Sequence, residues 1–201
     1  KDPEDHIGLM LALMAWLARN QPADLDEYLR GHLLTWAPHF LGELAGTSRD
    51  HRLDGYLFPD TYEFDVKANV EDVIYKMLNR FNELYLPAYY EKSETIGLTT
   101  DQVVILASLV EREAKLQSER PIIAGVFMNR LHSDDPSLKK LQSCATIRYI
   151  YKKLYNEDVI DITEEHERVE DPYNTYLYDG LPPGPICSPG IESIKAVLNY
   201  E

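Results

Sequence analysis

The sequence predicts an α+β fold, mainly helical with a short β-sheet, and three observations support this prediction. Apolar residues recur at the three-and-four spacing of amphipathic helices in most of the chain. An aromatic segment punctuated by Gly and Pro, LDGYLFPDTYEF at 53–64, has the composition of a strand or an extended loop. A second Gly/Pro-rich stretch, 173–190, is typical of an ordered loop between helices.

Length and composition limit the classes of protein to be considered. The chain has 201 residues, 44% of them hydrophobic, which is enough to bury one sizeable core. Its formal net charge is -14, with 34 acidic and 20 basic residues, so it would repel a polyphosphate backbone. We therefore expect no nucleic-acid partner. The longest uncharged apolar run, 7–18, is shorter than the ~20 residues that cross a bilayer, so any anchor is expected outside this sequence.

Two domains are predicted. The first, 1–52, shows two helical patterns, at 5–20 and from 23 towards 36, and no chemical signature, so its predicted role is packing. The second, 53–201, contains every motif with recognisable chemistry.

The second domain is predicted to contain five helices. Asn69 is placed to cap a helix over 70–84, whose apolar residues form one buried face. Thr99 or Thr100 is expected to cap a helix from 101 to about 115, and Ser118 the next, over 121–131. A short strand over 138–142 and helices over 144–155 and 191–199 complete the prediction.

The chemistry centres on the helical segment LASLVERE at 106–113. At about 100° per residue, its leucines and Val110 share one sector with Glu113, whereas Glu111 points about 160° away. A carboxyl that lies against an apolar surface is harder to ionise, which suits a proton donor. We therefore predict that Glu113 is a general acid. The alternative is a Glu at a helix end that pairs with a base such as Arg120.

The stretch 173–190 is predicted to form the opposite wall of a groove, with its Gly180–Gly190 part facing the Glu113 helix. Its prolines leave little freedom to lose, so backbone groups are held in place before a ligand binds. Asn174 and Tyr176 add hydrogen-bonding groups of the kind that bind sugar hydroxyls. The alternative is a rigid structural turn.

Cys144 and Cys187 lack the spacing of a metal site, and no metal site is predicted. Two interpretations stay open for them. They form one disulfide in an oxidising compartment, or they are two small buried thiols.

Five segments together resemble the endolytic murein transglycosylases of the MltG, or YceG-like, family. Their order and spacing match as well, and the resemblance implies a YceG-like catalytic domain over 53–201. The segments are LDGYLFPDTYEF at 53–64, LASLVEREA at 106–114, SERPIIAGVFMNRL at 118–131, LQSCAT at 141–146 and YNTYLYDGLPPGPICSPGIESIKAVLN at 173–199.

The resemblance implies cleavage of the β-1,4 bond between MurNAc and GlcNAc within peptidoglycan strands. One acid protonates the leaving oxygen and then deprotonates the C6 hydroxyl of MurNAc, which closes onto C1 as a 1,6-anhydro end. One carboxyl is enough for this reaction, whereas ordinary glycosidases use two. The family's catalytic acid aligns with Glu113, and no cofactor is implied.

The same resemblance assigns roles to further residues. Those implied to bind the glycan are Gln142, Asn174, Tyr176, Asn129 and Arg130. Those implied to support the site are Glu111, Glu119 and Arg120. The implied partners are peptidoglycan strands, with peptidoglycan synthases and the division and elongation machinery as further candidates. The implied location is the extracytoplasmic face of the bacterial membrane, with an anchor in longer members of the family.

Two other functions remain as alternatives. Glu113 and a second carboxylate, such as Asp60, could activate water in a peptidoglycan hydrolase. Alternatively, the chain is a non-catalytic module that binds glycan.

Overall fold

The computed structural model of the protein describes residues 53–64 and 70–200, which belong to one compact unit, 53–201. The helices predicted over 1–52 and the cap predicted at Asn69 lie outside the described residues. The helices in the described ranges are α1 (Val70–Leu84), α2 (Pro87–Thr95), α3 (Thr100–Glu113), α4 (Arg120–Leu131), α5 (Cys144–Tyr155) and α6 (Ile191–Leu198). Short 3₁₀ turns lie at Gln117–Glu119, Pro136–Leu138 and His166–Arg168.

The mainly helical character is confirmed in the described residues, but the predicted short β-sheet is not. Within 53–64 and 70–200, pairing of extended chain is limited to one isolated parallel bridge between Lys140 and Gly180. The predicted strand over 138–142 is interrupted because Lys139 has helical backbone angles after the 3₁₀ turn. Its partner stretch, 180–185, contains prolines, which have no N–H to donate to a ladder.

Helix α3 is at the centre of the described fold and contacts α2, α4, α5 and α6. Thr99 caps it, as predicted: its hydroxyl accepts the N–H of Gln102 at 3.2 Å, and the Gln102 side chain accepts the N–H of Thr99 at 2.9 Å. From Val103 to Val110 every residue except Ile105 is buried. A helix that is apolar on most faces must be surrounded by others, which explains its central position.

Two local predictions differ from the structure. Helix α2 was not predicted, because only Ser93 of its residues is buried and its apolar residues keep no helical period. The cap predicted at Ser118 is wrong, since this residue lies in a 3₁₀ turn and α4 begins at Arg120.

In the parts of the chain that the structure describes, no helix combines the length and the apolar character needed to span a bilayer.

Gly55 lies where three elements meet. Its φ is +87°, and a Cβ added there would lie 2.6 Å from Pro185 Cγ and 2.6 Å from Val104 Cγ1. The turn at 53–56, helix α3 and the proline-rich loop are thus in contact through a position that only glycine fits.

Candidate active site

Glu113 ends helix α3 and contacts the beginning of helix α5. Its Oε1 accepts hydrogen bonds from the Ser143 hydroxyl at 2.5 Å and from the Ala145 N–H at 3.0 Å. Its Oε2 has no hydrogen-bond partner among the residues that the structure describes, and the residue is half-buried. One oxygen is therefore held by two donors, while the other makes no hydrogen bond to the described part of the chain.

The carboxyl of Glu113 does the work of a helix cap for α5. Ser143 occupies the N-cap position, but its side chain makes no capping hydrogen bond to its own helix. Glu113 accepts one of the unpaired N–H groups of the first turn instead, at the end of the helix where an anion is stabilised. The sequence argument considered only the apolar neighbours of Glu113 on α3 and missed this contact. A serine directly before the helical pattern of 144–155 predicts a cap by the serine itself, so no local signal indicated the contact with Glu113.

Gln142 adjoins this contact with an unusual backbone. Its φ is +51°, in the left-handed region, and its N–H donates to the Thr175 carbonyl at 3.0 Å. Such a conformation costs a non-glycine residue about 1 kcal/mol or more and is often found at functional sites. The residue is exposed, so its side-chain amide is accessible.

Tyr176 is brought to the same site from the stretch 173–190. Its hydroxyl lies 3.1 Å from Cys144 Sγ, in the first turn of α5. Burial raises the pKa of the Tyr176 phenol, and the neighbouring Cys144, Glu167 and Glu113 add to the rise. The phenol therefore keeps its proton at neutral pH and can donate a hydrogen bond.

Asn174 is buried in the protein just before Tyr176 in the chain. It is 0% exposed, and its amide donates to the carbonyls of Glu167 at 2.9 Å and Val169 at 2.7 Å. Its carbonyl oxygen accepts the N–H of Tyr176 at 2.9 Å. This position differs from the groove-lining one that the resemblance implies, because a buried amide has its hydrogen bonds satisfied within the protein.

Three further residues that the resemblance implies lie on α4 or in the turn that precedes it. Arg130 donates to the Leu141 carbonyl and so braces the chain just before Gln142. Glu119 accepts two backbone N–H groups, of 115 and 116, at 3.2 and 3.1 Å and closes the turn between α3 and α4. Asn129 is exposed in the last turn of α4.

Glu111 points to the other flank of α3, as predicted, and joins three elements there. Its Oε1 accepts from Arg120 at 3.1 Å, and its Oε2 accepts from the Gly190 N–H at 3.2 Å and the Ser193 hydroxyl at 2.6 Å. Burial by itself would raise the pKa of Glu111, but Ser193, Gly190 and Arg120 outweigh it and hold the pKa below its ordinary value. Arg120 thus pairs with Glu111 and not, as in the alternative considered above, with Glu113.

Replacement of Glu111 by alanine is expected to lower the free energy of unfolding by about 2 kcal/mol at pH 7, because it leaves partly buried donors without their acceptor. The pKa is lower in the folded chain than its ordinary value of 4.5, so this stabilisation is present above 4.5 and is lost as the pH falls through the folded value. Urea titrations of wild type and Glu111→Ala at pH 7 and pH 3 measure the difference. The exposed Glu91→Ala is the control, and a wild-type advantage that does not shrink on acidification would contradict this explanation.

The end of the Gly180–Gly190 loop packs on the Glu111 flank of α3. The N–H of Ile186 donates to the Ser108 hydroxyl at 3.0 Å, and Gly190 is bound by Glu111 as described. The predicted groove changes only in part. The end of the loop lies on the flank of α3 opposite Glu113, whereas its beginning, at Gly180, pairs with Lys139 and Lys140, directly before the 141–146 segment that contacts Glu113. The end of the loop packs on that flank because Ser108 and Glu111 offer acceptors for its N–H groups.

The two cysteines are separate free thiols. Cys144 lies beside Tyr176, whereas Cys187 donates to the Ser108 carbonyl at 3.5 Å. Burial raises the pKa of Cys187 to about 11. The structure therefore agrees with two separate thiols and not with a disulfide between Cys144 and Cys187.

Comparisons with known proteins agree with the resemblance. Residues 11–201 match the model of the YceG-like family. The endolytic murein transglycosylase of Streptococcus pneumoniae serotype 2 is 37% identical over 192 residues, which are 94% of this chain and 33% of the relative. The endolytic murein transglycosylase of Bacillus subtilis strain 168 is 36% identical over 150 residues, 74% of this chain and 39% of the relative. The chain therefore spans a third to two fifths of the length of these relatives.

A solved structure shares the fold. The crystal structure of a YceG-like protein from Listeria monocytogenes superposes with a TM-score of 0.65 at 33% identity, covering 75% of this chain and 47% of the other. A short stretch of 44 residues, 22% of the chain, is also 61% identical to a Haemophilus influenzae protein named "Probable Tat proofreading chaperone DmsD". That match covers too little of either chain to assign a family.

Proposed function

The chain belongs to the YceG-like family, and from this premise we propose that it is an endolytic lytic transglycosylase of peptidoglycan. It cleaves the β-1,4 bond between MurNAc and GlcNAc within glycan strands and leaves 1,6-anhydroMurNAc ends. The observation that carries the proposal is the arrangement of the Glu113 carboxyl, whose Oε1 is held by two donors while its Oε2 makes no hydrogen bond to the described residues. The names of the relatives, endolytic murein transglycosylase, support the same reaction.

In the proposed mechanism Glu113 acts twice. Its Oε2 first carries a proton, which passes to the glycosidic oxygen as the bond to C1 of MurNAc breaks. The carboxylate that results lies at the N-terminus of α5, where negative charge is stabilised. It then takes the proton of the MurNAc C6 hydroxyl, whose oxygen bonds to C1. The carboxyl is regenerated and no water is consumed.

Other side chains bind the strand around this carboxyl. We assign glycan contacts to the exposed amide of Gln142 and to the phenol of Tyr176, with Asn129 and Arg130 towards the rim. Asn174 holds the Tyr176 backbone in place from below and needs no contact with the sugar. The substrate is peptidoglycan, and the reaction belongs on the extracytoplasmic face of the membrane, where this polymer lies.

A hydrolase that uses Glu113 and Asp60 is the second candidate, and it is weaker because Asp60 is engaged by Arg80 at 2.6 Å. Mass spectrometry of the products from purified sacculi separates the two, since a hydrolytic reducing end is one water heavier than an anhydro end. We expect anhydro ends from the wild-type chain. Reducing ends would contradict the transglycosylase mechanism, and binding to sacculi without any release would favour a non-catalytic glycan-binding module.

A further inference from the structure

We infer that Ser143 is a positioning residue for the Glu113 carboxyl, and that Thr175 and Thr146 hold Ser143 in place through a closed ring of hydrogen bonds. This inference rests on the proposed function, because it explains how the proton-carrying group is aimed.

All polar groups of Ser143 are engaged. Its hydroxyl donates to Glu113 Oε1 at 2.5 Å, and its N–H donates to the Thr175 hydroxyl at 2.9 Å. Its carbonyl accepts the Thr146 hydroxyl at 2.7 Å. Ser143 and Thr175 are each 2% exposed and Thr146 is 0% exposed, so water does not compete for these groups.

The directions of the hydrogen bonds follow from the number of protons. A threonine hydroxyl has one hydrogen, and that of Thr146 goes to the Ser143 carbonyl. The 3.0 Å contact between the hydroxyls of Thr146 and Thr175 must therefore be donated by Thr175. The ring then runs from the Ser143 N–H to Thr175, on to Thr146, and back to the Ser143 carbonyl. With the opposite direction between the two threonines, the hydroxyl hydrogen of Thr175 would have no acceptor in the ring.

This ring leaves one task for the Ser143 hydroxyl, which is to donate to Glu113. Together with the Ala145 N–H it occupies Oε1 with two donors, and Oε1 can accept both whether or not Oε2 carries a proton. The exchangeable proton is thereby assigned to Oε2, and the plane of the carboxyl is fixed by two anchors. Reaction rates respond steeply to such placement, by about a hundredfold for a displacement of 1 Å.

The test compares variants of the full chain on soluble, uncross-linked glycan strands. For Ser143→Ala we expect kcat for release of anhydro ends to fall about 10- to 100-fold, with KM little changed. The substitution removes the group that orients the Glu113 carboxyl but leaves the residues that bind the glycan in place. For Thr175→Val, which keeps the shape of the side chain and removes its hydroxyl, kcat should fall by a similar factor. Thr175→Ser, which keeps the hydroxyl, should retain most of the wild-type kcat. The exposed Ser118→Ala is the matched control, and near-UV circular dichroism verifies folding.

Each outcome is decisive. Wild-type kcat in a folded Ser143→Ala chain would overturn the role of Ser143, and equal losses in Thr175→Val and Thr175→Ser would overturn the ring. If the wild-type chain releases no anhydro ends, the proposed function is wrong. The hydrogen bond between Ser143 and Glu113 is then tested by measuring the equilibrium constant of unfolding. The combination of Ser143→Ala with Glu113→Ala should change the unfolding constant by less than the product of the single changes. Independent effects of the two substitutions would overturn the inference.

Discussion

Glu113→Gln is expected to reduce the release of anhydro-ended products by about 10³-fold or more while the chain stays folded. The amide oxygen can still accept the hydrogen bonds from Ser143 and Ala145, so the contact with α5 is kept. What is lost is the acidic proton, and with it both the protonation of the leaving oxygen and the deprotonation of the C6 hydroxyl. Initial rates on soluble glycan strands, with near-UV circular dichroism on the same samples, measure both parts of this expectation.

Glu111→Gln is the matched control, since it makes the same chemical change two residues away on the opposite flank of the helix. Its carboxylate binds Arg120, Gly190 and Ser193 and is not part of the proposed reaction. We expect a much smaller loss of rate, measured well below its melting temperature. Full activity in Glu113→Gln, or an equal loss in both variants, would remove Glu113 from the mechanism.

Gly55→Ala is expected to give the largest loss of stability among the substitutions considered, about 2–4 kcal/mol. The added methyl would meet Pro185 and Val104 at 2.6 Å, and overpacking of this kind costs about 1–3 kcal/mol. The left-handed backbone, with φ of +87°, adds about 1 kcal/mol for any residue with a Cβ. Urea unfolding at pH 7 measures the difference.

Gly97→Ala separates the two causes. Gly97 also has a left-handed backbone, with φ of +75°, but an added Cβ there would meet no heavy atom within 4 Å. Only the backbone cost, about 1 kcal/mol, is therefore expected. Similar losses at Gly55 and Gly97 would mean that the turn at 53–56 is not tightly packed against α3 and the proline-rich loop.

Helices with a regular apolar period could be predicted from the sequence. Helix α1 was found because its apolar residues repeat along one face, and α3 because a threonine cap precedes an apolar run. Helix α2 has neither signal, since it packs little of its surface and begins at Pro87 without a side-chain cap. The short β-sheet is not confirmed in the described ranges for a related reason, because composition indicates extended chain but not whether a second strand pairs with it.

Of the candidate site, only the directions of side chains along one helix, α3, could be predicted from the sequence. Helical period separated Glu113 from Glu111 correctly, since both directions depend on the geometry of α3 alone. The hydrogen bonds from Ser143 and Ala145 join residues 30 and 32 positions from Glu113, and no local pattern specifies them. The burial of Asn174 is likewise set by the carbonyls of Glu167 and Val169, which a motif does not reveal.

Because the carboxyl of Glu113 also caps the N-terminus of α5, different inactive variants of this residue have different effects on the structure. Glu113→Ala would remove the acceptor for the Ala145 N–H and fray the first turn of α5, next to Cys144 and the Tyr176 hydroxyl. Glu113→Gln keeps an oxygen at that place. Trapping an intact glycan for crystallography therefore calls for the glutamine variant, whose binding surface stays that of the parent chain.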